Sequence, residues 1–517
     1  MNKYVLPLVI IALSLSFFRL GFVPLFDVDE AVFSAAAKEM VQSGNLITPT
    51  YNGENRYDKP ILFYWLMAAS YEAFGTNNFA ARFPSALAAV CLVLALFLFV
   101  RHSHGEKRAF YAALAFVLSA YFLIYSRAAV TDMSLTLFIS ASLFSFYLST
   151  EYRSIAPVKA SRYLCGFYAF SALAFLTKGL IGIVFPFGIA LVYLYATEGR
   201  AGLKNIITLK GILIFLILSL PWYSAQVFIN GQEFIDQFFI KHHFERFTGV
   251  ISGHGGPVYY YLPALLIGLF PWVAFLPAGI LAVFREKDRL NLFAFIWAAF
   301  IVAFFSLSGT KLPDYILPAV PAAVILIASG MTGGEKDRSR FAYLFMALLS
   351  AALGCGLVLS RSYLVKYGIP EDGGTIIAGA VLAAVILADL YAVLGNKRLY
   401  PVLFCLTGLL MAVLLVKALP AAGEYLQGTL YRYSLYAKEK LPPDERIITY
   451  DINKPSVVFY SGHKIIHAGS ENELKALMGT TPRHALVMAE TKDRGTIEAL
   501  GFNVLELDSR YALFEKK

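Results

Sequence analysis

The chain has 517 residues, of which 58% are hydrophobic and only 15% are charged, with a net charge of +9. Soluble domains carry roughly 25% charged residues, so this composition excludes an ordinary soluble protein and predicts a polytopic membrane protein. Most basic residues lie in short loops between apolar runs, which indicates a role in membrane topology and not nucleic-acid binding. The four cysteines show neither metal-ligand spacing nor a disulfide framework.

The first apolar run, residues 4–20, is expected to be a retained transmembrane helix. It lacks a small-residue cleavage site, and the acidic stretch Asp27-Val28-Asp29-Glu30 follows soon after it.

A bilayer-spanning helix needs about 20 apolar residues. Runs of this kind predict about thirteen spans, near 4–20, 80–100, 109–126, 133–150, 163–177, 179–196, 211–228, 259–283, 291–308, 314–331, 341–360, 375–394 and 399–418. The apolar stretch 61–75 is short, and we expect an interfacial or re-entrant helix there.

The loops predict the orientation of the chain. Lys and Arg concentrate in loops that fall on one side of this topology: 101–108, 153–162, 200–210, 285–289, 336–340 and 397–398. The positive-inside rule makes that side cytoplasmic. The loops 21–79, 127–132, 229–258, 309–313 and 361–374 are then expected outside, together with residues 419–517. In a Gram-negative cell, that side of the inner membrane is the periplasm.

The composition changes near residue 431, which predicts a transmembrane domain over 1–430 and a small periplasmic α/β domain over 431–517. Strands are expected at 445–451, 484–490, 502–507 and 511–514, and helices at 470–478 and 496–500. The predicted fold class is therefore an all-α polytopic membrane protein with a small C-terminal α/β domain.

Unusual polar residues concentrate at the outer ends of the spans. Ionisable groups at a membrane face are costly, and they are usually kept for chemistry, ion paths or structural partners. The outer loops contain Asp27, Asp29, Glu30, Arg56, Asp58, Lys59, Arg127, Asp132, Lys178, His242, His243, Glu245, Arg246, His254, Lys311 and Asp314. Several of these residues could instead have ordinary structural roles. Asp27 or Asp132 would serve as a helix N-cap, Lys59 as a snorkelling lysine, Arg127 as a contact for phospholipid headgroups, and His243 and His254 as ordinary interfacial histidines.

This pattern suits an enzyme that uses a sugar linked to polyprenyl phosphate. Cations would stabilise the phosphate that leaves as the C1–O bond breaks, and a carboxylate would take the proton of the acceptor hydroxyl. A single displacement of this kind inverts the anomeric centre. Asp29, Glu30 and Asp132 are the candidate catalytic acids. The candidate phosphate-binding cations are Lys59, Arg56, Arg82, Arg127, Lys178, Arg246 and Lys311. The candidate substrate contacts are Asp58, Tyr57, Tyr315 and His254.

Eight short motifs follow one another along the chain on the expected sides of the membrane. They are Asp29-Glu30, Asp58-Lys59-Pro60, Arg82-Phe83-Pro84-Ser85, Thr131-Asp132-Met133, Leu176-Thr177-Lys178-Gly179, His243-Phe244-Glu245-Arg246-Phe247, His254-Gly255-Gly256-Pro257 and Lys311-Leu312-Pro313-Asp314-Tyr315-Ile316-Leu317-Pro318. This order resembles the bacterial GT-C glycosyltransferases. It is most similar to the lipid A aminoarabinose transferases and more distantly to protein O-mannosyltransferases. The resemblance covers about the first 330 residues well.

The resemblance implies roles for individual residues. Asp29 resembles the essential first-loop aspartate of the family and Glu30 its neighbour, while Lys59 resembles the lysine that contacts the lipid phosphate. Asp132 resembles a second acid near the site, and His243 resembles a histidine able to ligate a divalent metal. Through His243, the resemblance suggests a divalent cation and no other cofactor. The chain departs from the family at two points: no C-terminal acidic metal ligand matches, and Asp58 stands where glutamate is expected.

The leading hypothesis is a multi-pass inner-membrane glycosyltransferase whose site faces the periplasm. Its expected partners are a polyprenyl-phosphate-linked sugar donor, membrane lipids and an envelope acceptor, either lipid A, another glycolipid or a protein. No nucleic acid is expected as a partner. The alternatives are a protein O-glycosyltransferase, a transporter or flippase of lipid-linked sugars, and a non-catalytic sugar-binding subunit. A transporter would place its ionisable residues near mid-membrane, whereas here they lie at span edges.

Overall fold

The computed structural model describes residues 3–245, 255–333, 336–366, 373–395, 399–442, 445–478 and 485–516. Helices dominate these residues. In chain order they are α1 (Val5–Phe17), α2 (Asp29–Ser43), α3 (Leu62–Phe74), α4 (Asn78–Val117), α5 (Ala120–Tyr125), α6 (Asp132–Tyr152), α7 (Pro157–Lys178), α8 (Ile181–Gly202), α9 (Leu209–Phe234), α10 (Tyr261–Gly268), α11 (Leu276–Glu286), α12 (Arg289–Leu307), α13 (Val320–Thr332), α14 (Lys336–Lys366), α15 (Gly374–Gly395), α16 (Tyr400–Val413), α17 (Leu419–Gly423), α18 (Thr429–Lys440), α19 (Pro455–Ser461), α20 (Glu471–Met478) and α21 (Arg494–Ala499).

Strands are short and few in the described part of the chain. They are β1 (Thr50–Tyr51), β2 (Glu54–Asn55), β3 (Ile447–Tyr450), β4 (Ile465–Ala468), β5 (Leu486–Glu490), β6 (Phe502–Leu507) and β7 (Tyr511–Lys516). A π-helix continues α9 over Ile235–Glu245, and a 3₁₀ helix over Pro313–Ala319 leads into α13.

Nine helices among the described residues are long and apolar enough to cross a membrane, and a bent helix pair raises the number to ten. The nine are Asn78–Val117, Asp132–Tyr152, Ile181–Ile206, Leu209–Phe238, Arg289–Leu307, Pro313–Thr332, Arg340–Arg361, Gly374–Gly395 and Tyr400–Lys440. The protein is thus a polytopic membrane protein, as predicted, but the number of about thirteen spans is not confirmed.

Four local features account for the difference. The helix α1 has only 13 residues, and α7 is not among the nine candidates, with Lys159 and Arg162 in its first half. The element Asn78–Val117, which counts once among the nine, contains two helices that meet at a kink at Gly105, whose φ of 75° and ψ of 176° are not helical, so the two spans predicted on either side of residues 101–108 correspond to its two halves. The span predicted over 259–283 is not a single straight helix, because Val258–Gly268 and Trp272–Glu286 meet at 112°.

The chain divides into two compact units. Unit 1 comprises Met1–Leu20, Tyr57–Phe63 and Arg82–Ala418, and unit 2 comprises Gly21–Arg56, Tyr64–Ala81 and Leu419–Lys517. Residues that are distant in the sequence therefore belong to the same body. The predicted functional boundary at residue 430 stays a prediction.

Unit 1 consists mainly of packed apolar helices, and several of their buried polar groups bond to backbone carbonyls nearby. The buried indoles illustrate this, because Trp272 donates to the carbonyl of Leu118 at 3.1 Å and Trp297 donates to that of Pro318 at 2.8 Å. A buried N–H without an acceptor is costly in an apolar interior. Trp297 therefore holds the 3₁₀ helix over Pro313–Ala319 against α12.

Unit 2 contains a five-stranded sheet in the order β4-β3-β5-β7-β6. The strands β3, β4 and β5 are parallel, whereas β7 runs antiparallel to both β5 and β6. Apolar side chains line both faces. One face has Ile447, Leu486 and Leu513 in a core with Leu430 and Tyr433 of α18, and the other buries Ile448 and Val487.

The small C-terminal sheet domain confirms the predicted fold class. The strand predicted over 502–507 has the observed bounds, and the other predicted strands and helices occur within a few residues of their expected positions. The sequence analysis missed α19 and β4. The helix predicted over 61–75 is α3, and it is not among the candidate spans.

Candidate functional site

The clearest polar cluster in unit 1 begins with Asp132 and Lys178. Asp132 occupies the first turn of α6 and Lys178 is the last residue of α7. The two helices are joined by a short loop and pack against each other, so the start of one lies beside the end of the other. Gly179 ends α7 with a φ of 73° that favours glycine. The Lys178 ammonium lies 2.5 Å from an Asp132 carboxylate oxygen.

A second carboxylate completes this cluster. The Lys178 Nζ also lies 3.6 Å from the Asp314 carboxylate, which belongs to the 3₁₀ helix before α13. The side chains of Lys178, Asp132 and Asp314 are 13%, 7% and 18% exposed, so water screens their charges poorly. We call these three residues the acid–lysine triad. With all three ionised, the triad carries one net negative charge.

Neighbouring groups hold the triad in place. The Tyr315 ring lies 5.3 Å from the Lys178 ammonium and stacks obliquely on Phe305 at 4.9 Å. The Tyr121 hydroxyl donates to the carbonyl of Pro313 at 3.0 Å. The predicted cation Lys311 is buried and donates to the Ser308 carbonyl. The structure therefore brings four sequence-predicted residues, namely Asp132, Lys178, Tyr315 and Lys311, to the region where α6, α7 and the 3₁₀ helix meet.

The predicted motif around Lys59 is also part of unit 1. The Lys59 ammonium lies 3.6 Å from the Asp58 carboxylate and donates to the Asp58 carbonyl at 3.1 Å. The buried Tyr57 places its hydroxyl 3.4 Å from the Glu233 carboxylate of α9. Tyr57 is therefore positioned by an acid to which the sequence analysis gave no role.

Two predicted phosphate-binding arginines bind backbone carbonyls. The buried Arg127 donates to the carbonyls of Leu15 and Ser16 at 2.9 and 3.1 Å. The buried Arg82 donates to the carbonyl of Leu20 at 3.1 Å. Both therefore satisfy carbonyls in and just after the C-terminal turn of α1, where intrahelical partners are missing. Their phosphate-binding role stays a prediction.

The first-loop acids belong to unit 2. Asp29 and Glu30 form the first turn of α2, where a negative charge favours the helix dipole. Asp29 is exposed, while Glu30 is buried and accepts a hydrogen bond from the Phe26 amide at 2.9 Å. Arg56 donates to the Tyr64 hydroxyl at 3.1 Å and lies 5.8 Å from the Phe33 ring centroid.

Asp27 has a structural partner elsewhere in unit 2. It does not cap α2, whose N-cap residue is Val28 without a side-chain bond. Its carboxylate instead accepts from the backbone N–H and the hydroxyl of Ser456, both at 2.8 Å, at the start of α19. The interpretation of Asp27 as the N-cap of the helix that it precedes is therefore wrong, and its carboxylate instead binds the first turn of a helix about 430 residues later in the chain.

Three predicted residues cannot be placed in detail. Arg246 and His254 lie outside the described residues. His243 lies on the π-helix Ile235–Glu245, but the structure describes only its backbone. No group of three or more His, Cys, Asp or Glu with metal-binding geometry occurs among the side chains that the structure describes. The triad supplies two carboxylates, and its lysine already neutralises one of them. The divalent cation stays a prediction.

Sequence reasoning missed two acids of the candidate site, Asp314 and Glu233. Asp314 was placed in an outer loop but received no role. Its position three residues after Lys311, between two prolines, was a usable signal, since such a stiff segment orients its side chains. Glu233 gave no signal, because only the packing of α9 decides that it lies opposite Tyr57.

Known proteins resemble this chain over most of its length. Residues 58–224 match the dolichyl-phosphate-mannose-protein mannosyltransferase family. The undecaprenyl phosphate-alpha-4-amino-4-deoxy-L-arabinose arabinosyl transferase of Aeromonas salmonicida is 30% identical over 414 residues, which is 77% of this chain and 73% of the relative. The protein of the same name from Edwardsiella ictaluri is 31% identical over 392 residues, covering 73% and 68%.

The fold is similar to that of a solved enzyme structure. ArnT from Cupriavidus metallidurans, crystallised with undecaprenyl phosphate, superimposes with a TM-score of 0.81 at 23% identity, over 100% of this chain and 98% of ArnT. Together with the sequence matches, this places the protein in the GT-C class of membrane glycosyltransferases. The chain belongs to the undecaprenyl phosphate-alpha-4-amino-4-deoxy-L-arabinose arabinosyl transferase family. The resemblance stated from the sequence motifs is thereby confirmed.

Proposed function

We propose that this protein transfers a sugar from a polyprenyl-phosphate donor to a lipid acceptor at the periplasmic face of the inner membrane. The observation that carries the proposal is the acid–lysine triad, a shielded set of opposite charges at the ends of membrane helices. Intramembrane ionisable residues are expensive and are usually functional. Family membership makes undecaprenyl phosphate-linked 4-amino-4-deoxy-L-arabinose the first donor to test, and lipid A the first acceptor.

The charge of the triad defines its part in the reaction. Two carboxyl groups and one ammonium carry no excess of positive charge, so the triad does not attract a phosphate and instead suits a proton or a cation. Lys178 therefore acts as a positioning residue that holds Asp132 and Asp314 in a fixed geometry. One of these carboxylates takes the proton from the acceptor hydroxyl, which makes its oxygen a better nucleophile.

The leaving group requires positive charge elsewhere. As the acceptor oxygen attacks C1 of the sugar, the bond from C1 to the phosphate oxygen breaks, and the phosphate departs with the electron pair. Lys59 and Lys311 are the unit 1 lysines that we assign to this phosphate, since fixed cations stabilise developing negative charge. Attack opposite the phosphate inverts the configuration at C1.

Orientation is the second part of the proposal. The basic loops on one side of the predicted topology support a cytoplasmic location for that side. The triad and the C-terminal sheet domain are then periplasmic, where lipid A presents its headgroup on the outer leaflet. A membrane-impermeant amine reagent applied to intact spheroplasts should label lysines of the sheet domain such as Lys475.

Mass spectrometry of envelope glycolipids tests the activity directly. Cells that make the wild type should contain a sugar-modified lipid A that is absent from cells with the Asp132→Asn variant. The matched control is Asp288→Asn, because Asp288 also pairs with a side chain of unit 1, the His104 imidazole at 2.6 Å, yet lies in a predicted cytoplasmic loop. Loss of the modification in both variants, or in neither, would count against a catalytic role of the triad.

Protein glycosylation is the second candidate function. The match of residues 58–224 to the dolichyl-phosphate-mannose-protein mannosyltransferase family favours it. If lipid A and other lipids are unchanged between wild type and the Asp132→Asn variant, glycopeptide mass spectrometry of envelope proteins from the same cells decides whether a protein carries the sugar instead.

A further inference from the structure

Unit 2 contains a cavity that the proposed reaction does not use. It has a volume of about 440 Å³ and is bordered by residues from five parts of the unit. Binding sites for small molecules typically measure about 300–1,000 Å³. The polar and aromatic residues that matter for its chemistry are Lys38, Asn77, Asn78, Tyr431, Lys438 and Tyr460.

Two lysines reach this cavity from different helices. Lys38 lies on α2 and is half-buried, and its ammonium donates to the carbonyl of Phe459 at 2.8 Å. Lys438 lies on α18 and is exposed. Burial lowers the pKa of Lys38, and the positive charge of Lys438 lowers that pKa further, while the Glu39 carboxylate raises it. Both lysines therefore bring positive charge to the wall of one cavity.

The Glu39 carboxylate acts on Lys38 from outside the cavity and is not one of its lining residues. Among its lining residues that the structure describes, none is an aspartate or a glutamate. An anion placed between the lysines would gain charge-assisted hydrogen bonds from both. The electrostatics therefore favour a ligand with a compact negative charge.

The remaining wall is rigid and amphipathic. The Tyr460 hydroxyl donates to the Asn78 side-chain oxygen at 2.8 Å and accepts from the Leu25 amide. The Tyr431 and Tyr460 rings meet edge to face, with their centroids 4.6 Å apart. The Asn77 amide is held by the carbonyls of Phe74 and Gly75. Aromatic faces beside fixed amide and hydroxyl groups suit a ring that carries hydroxyl groups.

We propose that this cavity binds the phosphate of a phosphorylated sugar, with the phosphate between Lys38 and Lys438 and the sugar against Tyr431 and Tyr460. The inference deepens the proposed function, because a phosphorylated sugar headgroup is the type of acceptor expected there. Binding of the sugar phosphate does not depend on turnover. Absence of binding at the cavity can therefore be distinguished from absence of sugar transfer, which would contradict the proposed function.

Protection from chemical labelling tests the site with the full-length protein in nanodiscs. A lysine-acylating reagent is applied with no ligand, with inorganic phosphate, with glucose 1-phosphate, or in phosphatidylcholine nanodiscs that contain lipid A. Peptide mass spectrometry then measures acylation at Lys38, Lys438 and Lys440. Lys440 is the matched control, since it lies on the same helix two residues from Lys438 but does not line the cavity.

The proposal expects protection of Lys38 and Lys438, but not of Lys440, by glucose 1-phosphate or by lipid A. Protection by both ligands assigns the site to soluble and lipid-borne sugar phosphates alike, whereas protection by lipid A alone assigns it to the lipid headgroup. Protection by inorganic phosphate alone, or equal protection of all three lysines, would overturn it.

Binding affinities of variants provide the second measurement. The Lys38→Gln and Lys438→Gln variants should each weaken glucose 1-phosphate or lipid A binding by about tenfold, since each removes one charge-assisted contact. Lys440→Gln should bind like the wild type. If the Lys38→Gln/Lys438→Gln double variant retains wild-type affinity, the cavity is not the site, whatever the enzyme does.

Discussion

The triad in unit 1 and Asp27 in unit 2 show two ways of placing a carboxylate in a poorly solvated environment. Asp132 is held by an opposite charge, with Lys178 at 2.5 Å and a second acid sharing the same ammonium. Asp27 is held by neutral donors, the backbone N–H and the hydroxyl of Ser456. The first arrangement leaves a second carboxyl group beside one ammonium and can exchange a proton, whereas the second fixes a helix start through hydrogen bonds from neutral donors.

The largest expected effect comes from removing the cation of the triad. Lys178→Met leaves two carboxylates close together without their counter-ion, and breaking a buried pair in this way costs about 3–5 kcal/mol. The unfolding temperature in detergent should fall, and sugar transfer should drop by at least about 10²-fold.

The exposed Lys210 provides the control for that change. Lys210→Met should leave both the unfolding temperature and the rate of transfer unchanged. A triple change, Lys178→Met with Asp132→Asn and Asp314→Asn, should recover part of the stability but none of the activity. Recovery of activity in the triple variant would show that the triad is structural, like the Asp27 contact.

A smaller loss is expected when the Asp27 contact is removed. Asp27→Ala leaves the Ser456 N–H and hydroxyl without their acceptor, which costs about 1–3 kcal/mol. Limited proteolysis should then cut the segment around α19 faster than in the wild type. Glu439→Ala is the control, because that side chain is 78% exposed.

A double-mutant cycle sharpens this test. If Asp27 acts only through Ser456, the combination of Asp27→Ala with Ser456→Ala should cost much less than the sum of the two single changes. Additive losses would mean that Asp27 stabilises unit 2 through other groups.

Arg127→Lys distinguishes a structural arginine from a phosphate ligand. A lysine has one compact ammonium in place of the planar guanidinium, so it should satisfy the carbonyls of Leu15 and Ser16 less well and lower stability by about 1 kcal/mol. The KM for the donor should stay unchanged. Arg153→Lys, at a more exposed pair with Glu198, serves as the reference. A raised KM with unchanged stability would instead favour phosphate binding.

The smallest expected effect is a pH dependence. Burial raises the pKa of Asp27 above its ordinary value, against the lowering effect of the Ser456 bonds. A raised carboxyl pKa in the folded state stabilises the protein fully at low pH, and this contribution is lost as the pH rises through the folded-state value. The stability of the wild type relative to Asp27→Asn should therefore decline from about pH 4 upward, as followed by thermal unfolding. A difference that grows with pH would contradict this sign.

Much of the fold could be predicted from the sequence because the signals are local. Apolar runs and four of the five strands after residue 445 can be recognised from a few neighbouring side chains, and the helix α20 follows a similar local pattern. The errors lie where a local signal is ambiguous. The bend between α10 and α11 interrupts an apolar run, and the run itself does not reveal the angle between the two helices.

The candidate site was only partly predictable, for a related reason. Asp132, Lys178, Lys311 and Tyr315 stood out as polar groups at span ends, but their type alone does not say which charge meets which. Lys178 was expected to bind a phosphate, and the structure instead gives it two carboxylate partners. The lysine pair at the cavity of unit 2 gave no sequence signal, since Lys38 and Lys438 are 400 residues apart.

The sequence by itself determined that this chain is a membrane glycosyltransferase, because hydrophobic length, charge bias and ordered motifs are properties of the chain that do not need a fold to be read. Only the tertiary structure decided which acids share Lys178, which helix Asp27 caps and which lysines face one cavity. Those pairings depend on how helices distant in the sequence pack, and electrostatic and hydrogen-bond energies act over a few ångströms between atoms that folding brings together.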